Sequence, residues 1–397
     1  MIPRKLAPLL RRAARKLPVV TLTGPRQSGK TTLCRAVFPK KTYVNLEPLD
    51  TRHLAISDPR GFLADLPRGA ILDEIQNVPE LLSYIQAEVD ERPEPGKFIL
   101  TGSQQLGLTA AVSQTLAGRT AILNLLPFSL SERRKSRAWT EDLWMDVFHG
   151  SYPRIYDQGL DPASWYTDYI TTYVERDVRQ LKGISDLRSF RTFLGLAAGR
   201  TAQELNFSSL GGDAGVSYNT ARAWIGVLEA SFLVIVAPGW HRNLRKQIVK
   251  APKLHFTDTG VLCSLLGIRT AEQVRTHPLR GAIFESWVAG ELIKARVHRG
   301  ALADLKHYRE SRGVEIDLVM EDGLTLHAIE CKSGATIHPS FQEPLERFSA
   351  SITGLRPKIE LRRAMVYGGE SSNTRRTIPF YSWRDVEALG RTIAESS

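Results

Sequence analysis

The sequence contains few cysteines. Cys34, Cys263 and Cys331 are the only three in 397 residues, and they lie far apart along the chain. This spacing excludes a zinc knuckle and a disulfide-stabilised secreted domain, because both need several closely spaced cysteines. We therefore expect a protein of a reducing compartment.

Long hydrophobic runs are also missing. The most apolar stretch, "FLVIVAPGW" from Phe232, is far shorter than the roughly 20 residues that a membrane-spanning helix needs. The first residues, "MIPRKLAPLLRRAARKLP", are basic, but arginines interrupt their apolar positions, so they lack the core of a signal peptide. The sequence predicts a soluble, cytoplasmic protein with no membrane partner.

Acidic residues are outnumbered by basic ones. The chain has 53 Lys and Arg against 42 Asp and Glu, which gives a formal net charge of +11. Positive charge favours polyanionic partners, and DNA is the first candidate. The length suggests several domains, and the share of hydrophobic residues, 42%, is that of an ordinary globular protein.

Five short apolar runs alternate with polar, helix-like stretches near the start of the chain. Runs of this kind are typical of parallel strands that are buried on both faces. We predict an α/β domain with a parallel sheet over residues 1–135. The five runs are "VVTLTG", "TYVNLE", "AILDEI", "FILTGS" and "AILNLLP".

The first run leads into "GPRQSGKTTL", residues 24–33, which satisfies the phosphate-binding pattern G-x-x-x-x-G-K-[ST]. In such a P-loop, glycines let backbone N–H groups surround the phosphates of ATP. Lys30 is predicted to bridge the β- and γ-phosphates, and the Thr31 hydroxyl to bind Mg²⁺. The predicted nucleotide-binding residues are Gly24, Pro25, Arg26, Gln27, Ser28, Gly29, Lys30, Thr31, Thr32 and Ser103.

Polar residues also follow the later predicted strands. In "AILDEI", Asp73 is predicted to hold Mg²⁺ and Glu74 to orient or deprotonate the attacking water, although the pair by itself also suits a helix N-cap. In "FILTGS", Thr101 and Ser103 are suited to sensing the γ-phosphate or that water. Arg119 is either an arginine finger for a neighbouring subunit or a plain surface arginine.

These motifs resemble those of the AAA-type (AAA+ superfamily) ATPases that carry a C-terminal domain of unknown function. The resemblance extends to "YITTYVERDVRQL", "KLHFTDTGVLCSLLG" and "FESWVAGELIK", and so covers nearly the whole chain. It implies a five-stranded ATPase core, a cycle of ATP and Mg²⁺ binding and hydrolysis, and a homo-oligomeric ring such as a hexamer. The role of such proteins in the cell is left open by the resemblance.

The middle of the chain is predicted to contain a helical lid or connector over residues 136–190 and a winged helix-turn-helix over residues 191–262. Ser217 is suited to be the N-cap of the second helix of that motif. This helix would enter the major groove of DNA. Its first residues, where contacts would be made, are Tyr218, Asn219, Thr220 and Arg222.

A run of basic residues without any acid follows in "GWHRNLRKQIVKAPK". An exposed strand with this charge would track the phosphate backbone of DNA. The alternative is a winged helix that binds protein, with the basic run as a solvated edge. The basic residues are Arg242, Arg245, Lys246, Lys250 and Lys253.

Residues 275–397 are predicted to form an α/β domain with a cluster of charged side chains. The helix "GAIFESWVAGELIKA" places Glu285 on its apolar face, which is unfavourable unless the carboxylate is paired or binds a metal. Strand periodicity places Glu315 and Asp317 on one face of "GVEIDLVM", and Glu330 and Lys332 on one face of "LTLHAIECKS". If these two strands pair as a hairpin, the charged groups converge.

An acid, a hairpin and then E-x-K resemble the PD-(D/E)XK nuclease superfamily and imply a restriction-endonuclease-like domain. By this resemblance Asp317 and Glu330 would bind Mg²⁺ together with Glu285, and Lys332 would be the catalytic ammonium. Val-Glu-Ile precedes Asp317 where a proline–aspartate pair is often found. The alternative is a nuclease-like fold that has lost activity and uses these residues in ion pairs.

Together these features predict an ATP-hydrolysing protein that binds duplex or branched DNA and processes or remodels it. Whether it also cleaves DNA with Mg²⁺ stays open at this stage. One alternative is an ATP-switched regulatory module that contacts only proteins. Another is a ring that remodels DNA junctions, with the nuclease-like domain as an inactive clamp.

Overall fold

The structure is a computed structural model, and the chain in it divides into two compact units. The first comprises Met1–Phe128, Ala230–Phe232 and Val297–Gly300, and the second the remainder. The division after Phe128 falls a few residues before the predicted domain boundary at residue 135. The structure describes residues 2–103, 112, 114–174, 186–241, 251–310, 313–352 and 359–394.

The first unit is built on a five-stranded, fully parallel sheet, as predicted. Each of the five apolar runs forms one of its strands, which are β1 (Val19–Thr23), β2 (Thr42–Asn45), β3 (Ala70–Asp73), β4 (Phe98–Thr101) and β5 (Thr120–Asn124). Their order in the sheet is β2-β3-β4-β1-β5. Strand β4 therefore separates the strand before the P-loop from the strand that ends in Asp73.

Apolar side chains fill both faces of this sheet. On β3, for example, Ile71 belongs to one buried cluster, while Ala70 and Leu72 belong to the other. Strands β1, β3 and β4 are buried at every position, so apolar residues there occupy consecutive positions instead of every second one. The described helices of this unit include α1 (Ala7–Ala14), α2 (Lys30–Val37), α3 (Leu49–Ser57), α4 (Pro59–Ala64) and α5 (Leu81–Glu91).

The second unit begins with four short helices and a single π-helical turn, Ile170–Val174. Arg133 fixes this region, because its guanidinium binds Asp146 (2.6 Å) and Glu291 (2.8 Å) in the interior. A buried arginine is tolerated only when it is paired in this way. The four helices are α6 (Leu130–Arg133), α7 (Leu143–His149), α8 (Pro153–Gln158) and α9 (Pro162–Tyr169).

Three helices and a small antiparallel sheet follow in the second unit. The Ser217 side chain accepts a hydrogen bond from the Thr220 backbone N–H (3.1 Å), so it caps the third of these helices as predicted. The sheet order is β6-β8-β7. The elements are α10 (Leu187–Gly199), β6 (Gln203–Glu204), α11 (Phe207–Asp213), α12 (Tyr218–Ala230), β7 (Val234–Ala237) and β8 (Lys253–Phe256).

The last part of the second unit contains a five-stranded mixed sheet, with the predicted antiparallel hairpin at its centre. Helices α13 (Thr259–Leu265), α14 (Ala271–Thr276) and α15 (Arg280–Val297) precede it. The remaining elements are β9 (Lys306–Arg309), β10 (Glu315–Asp322), β11 (Thr325–Lys332), α16 (Glu343–Ile352), β12 (Glu360–Tyr367), β13 (Phe380–Ser382) and α17 (Val386–Ala394). The sheet order is β13-β12-β11-β10-β9, and β10 and β11 form the hairpin.

No helix in the described part of the chain is both long enough and apolar enough to cross a lipid bilayer. Four of the five residues of the predicted basic run, Arg242, Arg245, Lys246 and Lys250, lie outside the described residues. Apart from Ala230–Phe232 and Val297–Gly300, the residues of the predicted domains 136–190, 191–262 and 275–397 belong to the second unit.

Candidate functional site

The P-loop connects β1 to α2, and two of its glycines have backbone geometry that other residues rarely adopt. Gly29, just before α2, has φ +91°, and Gly24 has φ +145°. A Cβ atom at Gly24 would lie 2.2 Å from the Leu125 carbonyl oxygen, so a side chain there would clash with backbone. The loop therefore folds tightly over the start of α2, whose first N–H groups lack partners within the helix.

Lys30 is buried in this loop. Its Nζ donates hydrogen bonds to the carbonyl oxygens of Gly24 (3.0 Å) and Pro25 (2.9 Å). Burial lowers the pKa of Lys30 to about 8, although the nearby carboxylates of Glu74 and Asp73 act against this shift. The ammonium thus lies inside the loop that is predicted to hold the phosphates of ATP.

Asp73 is the centre of a hydrogen-bond network at the carboxyl end of the sheet. Its Oδ2 accepts from the hydroxyls of Thr31 (2.7 Å) and Tyr43 (2.8 Å), and its Oδ1 accepts from Thr101. Sheet order explains the network, because β3 lies between β2, which carries Tyr43, and β4, which carries Thr101. The structure thus brings together Thr31 and Asp73, the two residues predicted to hold Mg²⁺ at the P-loop.

Glu74 lies directly after β3 in a left-handed backbone conformation, with φ +58°. This conformation is strained for a residue with a side chain and is often found at functional sites. The carboxylate accepts hydrogen bonds from Gln76 Nε2 and from the Ser103 hydroxyl, the latter at 3.3 Å. The structure therefore also brings together Glu74 and Ser103, the residues predicted to handle the attacking water and to sense the γ-phosphate.

Two side chains at this site were not predicted from the sequence. Arg4 donates to the carbonyl oxygens of Ser28 in the P-loop (2.6 Å) and of Leu126 after β5 (2.5 Å), and its guanidinium lies 4.8 Å from the ring centroid of Phe128. Tyr43 is the second, through its bond to Asp73. The only sequence signal for Arg4 was a basic first segment, in which several arginines are equally prominent.

The residues of this site fit ATP with Mg²⁺. Gln27 Oε1 and Ser28 Oγ are buried in the loop and have no hydrogen-bond partner among the described residues, and the Ser28 hydroxyl can donate to a phosphate oxygen. Mg²⁺ prefers oxygen ligands and binds proteins through one or two side chains, with water and phosphate completing its shell. The Thr31 hydroxyl and the Asp73 carboxylate are such ligands.

Arg119 lies at the amino end of the parallel strands, whereas the P-loop lies at their carboxyl end. It directly precedes β5, and its carbonyl oxygen accepts from the N–H of Val19 (3.2 Å), the first residue of β1. The five residues of β1 therefore separate it from the P-loop, about 15 Å along the strand. Its guanidinium binds both carboxylate oxygens of Asp90 on α5. The structure does not bring Arg119 to the P-loop of its own chain, so a finger role requires a second copy.

A comparison of two variants separates the two interpretations of Arg119. If Arg119 completes the ATP site of a neighbouring copy, Arg119→Ala lowers kcat by about 100-fold or more while the Kd for ATP hardly changes. Asp90→Ala removes the same ion pair but keeps the arginine, so it should retain kcat. If kcat fell equally in both variants, or if Arg119→Ala lost ATP binding, Arg119 would have only a structural role.

A second cluster of charged side chains lies in the C-terminal sheet. Lys332 Nζ binds Glu330 Oε2 (2.8 Å), and the Cys331 N–H donates to Asp317 Oδ2 (2.8 Å) across the hairpin of β10 and β11. Glu285 projects from α15 toward the same place. The structure thus brings the predicted nuclease-type residues Glu285, Asp317, Glu330 and Lys332 into one cluster, whereas their catalytic roles stay predictions.

Lys253 occupies the middle of this cluster. Its Nζ lies 3.0 Å from Glu285 Oε1, 2.9 Å from Glu315 Oε1 and 3.9 Å from Asp317 Oδ1. The prediction that Lys253 is exposed and tracks DNA phosphates is wrong, because only 1% of its side chain is accessible. It belongs to β8, the central strand of the small sheet, and the carboxylates compensate the buried charge.

Burial and charge change the pKa values of these groups. Burial and the neighbouring Asp317 raise the pKa of Glu285, and they raise that of Glu330 to about 8. Burial would lower the pKa of Lys253, but Glu285, Asp317 and Glu315 outweigh this effect and raise it. An isolated carboxylate cluster without a cation would therefore be unfavourable here.

Two of the three carboxylates predicted to hold Mg²⁺ in this cluster, Glu285 and Asp317, face the Lys253 ammonium, which does not fit a metal ion between them. Within the described residues, no three or more His, Cys, Asp or Glu side chains are arranged to hold a metal ion. The position among Glu285, Glu315 and Asp317 is taken by the Lys253 ammonium. We therefore derive no chemical step through a metal at this place.

Family models match three consecutive parts of the chain. Residues 16–133 match an AAA domain. Residues 140–272 match a domain of unknown function (DUF8612), and residues 280–386 match another (DUF4143). The P-loop, Asp73 and Glu74 thus lie within the AAA match, and Arg4 precedes it.

Relatives of the whole chain occur in mycobacteria. Uncharacterized proteins of Mycobacterium tuberculosis and Mycobacterium bovis are each 32% identical to it over 373 residues, which cover 92% of this chain and 80% of theirs. A solved Walker-type ATPase of Pyrococcus abyssi is similar to 67% of this chain and 96% of its own, with 16% identity and a TM-score of 0.46. The chain belongs to the family of the two mycobacterial proteins, and it contains a P-loop ATPase domain of the AAA type.

Proposed function

We propose that this protein hydrolyses ATP with Mg²⁺, as a homo-oligomeric ring, in order to bind and remodel duplex or branched DNA. The observation that carries the ATPase part is the contact between Thr31 and Asp73 beside the buried Lys30. A hydroxyl, a carboxylate and an ammonium in this arrangement supply what phosphoryl transfer needs, which is positioning and charge compensation.

Each side chain of the P-loop site has a definite task in this proposal. Lys30 leaves the carbonyl oxygens of the loop and binds the β- and γ-phosphates. Thr31 and Asp73 would hold Mg²⁺, which would compensate the negative charge on the phosphate oxygens. Glu74 orients the attacking water and accepts its proton, while Ser103 and Gln76 hold the Glu74 carboxylate in place.

The DNA part of the proposal is supported by the start of α12. Tyr218, Asn219 and Arg222 are exposed there, after the Ser217 cap and a turn that follows α11. Two helices joined by a turn, with polar and aromatic side chains at the start of the second, suit contacts with base edges and phosphates in a major groove. The net charge of +11 also favours DNA.

The variant Arg222→Ala tests the DNA part, with Arg92→Ala as its control. Both remove one exposed arginine, but Arg92 follows α5 in the first unit. We expect the Kd for duplex and four-way junction DNA, measured by fluorescence anisotropy, to rise by about tenfold in Arg222→Ala and to change little in Arg92→Ala. The salt dependence of binding should also weaken in Arg222→Ala.

The same measurements on the unchanged protein distinguish this proposal from an ATP-switched module that contacts only proteins. Absence of salt-sensitive DNA binding, together with an ATPase rate that DNA does not stimulate, would contradict the DNA part and favour that alternative. The ATPase part would be unaffected by such a result.

A further inference from the structure

We propose that the Lys253 ammonium is the resident cation of the C-terminal acidic cluster, which consists of Glu285, Glu315 and Asp317. The cluster then joins the small sheet to the mixed five-stranded sheet of the C-terminal domain and does not use a metal ion to cleave DNA. This inference concerns a different site from the ATPase and DNA proposals and does not depend on them. It chooses between the two interpretations of the E-x-K pattern, an active nuclease and a fold that uses the same residues in ion pairs.

The distances around Lys253 are those of charge-assisted hydrogen bonds. Its Nζ lies 3.0 Å from Glu285 Oε1 and 2.9 Å from Glu315 Oε1, with Asp317 Oδ1 further away at 3.9 Å. These two closer values are near the usual range for an ammonium and a carboxylate. An Mg²⁺ ion would need oxygen atoms at about 2.1 Å in octahedral geometry. The Lys253 ammonium already lies beside Glu285 and Asp317, two of the three carboxylates predicted to supply them.

The carboxylates that meet Lys253 come from two different elements. Glu285 belongs to α15, and Glu315 and Asp317 belong to β10. Lys253 itself begins β8, whose backbone pairs with β6 and β7. One ammonium thus connects the small sheet with the helix and the strand of the C-terminal domain. A buried ammonium at the junction of three elements is suited to fixing them in one arrangement.

Several other charged groups around the cluster have partners within the protein, whereas Glu330 Oε1 and His255 Nε2 are buried without a hydrogen-bond partner among the described residues. Lys332, the predicted catalytic ammonium, binds Glu330 at 2.8 Å, and Asp317 accepts from the Cys331 N–H. His255 Nε2 lies 3.9 Å from Glu285 Oε1, and burial lowers the pKa of His255 so that it is neutral at neutral pH. His307 Nε2 faces Glu204 Oε1 at 3.6 Å. Lys253 is therefore the cation that Glu285, Glu315 and Asp317 share.

The experiment measures whether Mn²⁺ raises Tm in the full chain without nucleotide. Every protein carries Asp73→Asn, which removes the carboxylate predicted to hold a metal at the P-loop. With Lys253 present, we expect Mn²⁺ to leave Tm unchanged. Lys253→Ala should have a lower Tm, because three carboxylates lose their cation, and Mn²⁺ should raise that Tm by binding to the folded state. Adding Asp317→Asn to Lys253→Ala should abolish the rise in Tm that Mn²⁺ causes.

Two results would overturn the inference. The first is Mn²⁺ stabilisation of the chain that keeps Lys253, if Asp317→Asn abolishes it. The second is Mg²⁺-dependent DNA cleavage by the unchanged protein that Lys332→Ala removes. Both need only proteins that retain Lys253, so they decide the question even if Lys253→Ala fails to fold. A folded Lys253→Ala chain that gains no Mn²⁺ response would also contradict it.

Discussion

Replacement of Lys30 by alanine is expected to abolish ATP hydrolysis and to weaken ATP binding by roughly 100-fold or more. The physical reason is that Lys30 is buried inside the P-loop and already donates to its carbonyl oxygens, so no water or distant side chain can replace its charge beside the phosphates. Binding of a fluorescent ATP analogue and release of phosphate would measure the two effects.

Lys41→Ala is the matched control for this prediction. Lys41 lies just before β2, at the amino end of the strands and therefore away from the P-loop. It donates to the carbonyl oxygens of Arg68 (3.2 Å) and Lys97 (3.0 Å). It shares with Lys30 the capping of backbone carbonyls but has no role in nucleotide binding. If both variants lost ATP binding to the same extent, the effect would be a general one on the fold.

Replacement of Glu74 by glutamine is expected to lower kcat for ATP by about 100-fold or more while ATP stays bound. Glutamine has nearly the same shape as glutamate and can still meet Ser103, but it cannot accept a proton from the attacking water. Single-turnover hydrolysis and retention of labelled ATP after gel filtration would measure this, and bound ATP should accumulate in the variant.

The control for Glu74→Gln is Glu80→Gln, which makes the same chemical change at an exposed residue immediately before α5. We expect its kcat to equal that of the unchanged protein. Unchanged turnover in Glu74→Gln would remove this residue as the group that activates water, and Gln76 or Ser103 would then need the same test.

The first unit was predictable from the sequence because its signals are local. A parallel strand buried on both faces is apolar along its whole length, so "VVTLTG" and "FILTGS" could be identified without knowing their neighbours. The P-loop pattern likewise needs only adjacent residues, such as Gly29 and Lys30. Polar residues at the carboxyl ends of parallel strands meet at one edge of the sheet, which is why Asp73 could be expected near Thr31.

Other contacts between residues far apart in the sequence, such as those of Arg4 and Tyr43, were not predictable in this way. Arg4 is one of several arginines in the first segment, and only the folded chain selects it to bind the carbonyl oxygens of Ser28 and Leu126. Tyr43 reaches Asp73 because β2 is the neighbour of β3, which is a property of strand order. Strand order depends on packing of the whole sheet and leaves no local pattern.

The sequence by itself determined that the chain has a nucleotide-binding α/β domain, and it placed Glu285, Asp317, Glu330 and Lys332 on faces that could converge. Only the tertiary structure decided what lies between those carboxylates. Lys253 belonged by pattern to an exposed basic run, yet it is buried among them. The reason is that burial of a charge depends on its partners in space, and these partners lie on α15 and β10, far from Lys253 along the chain.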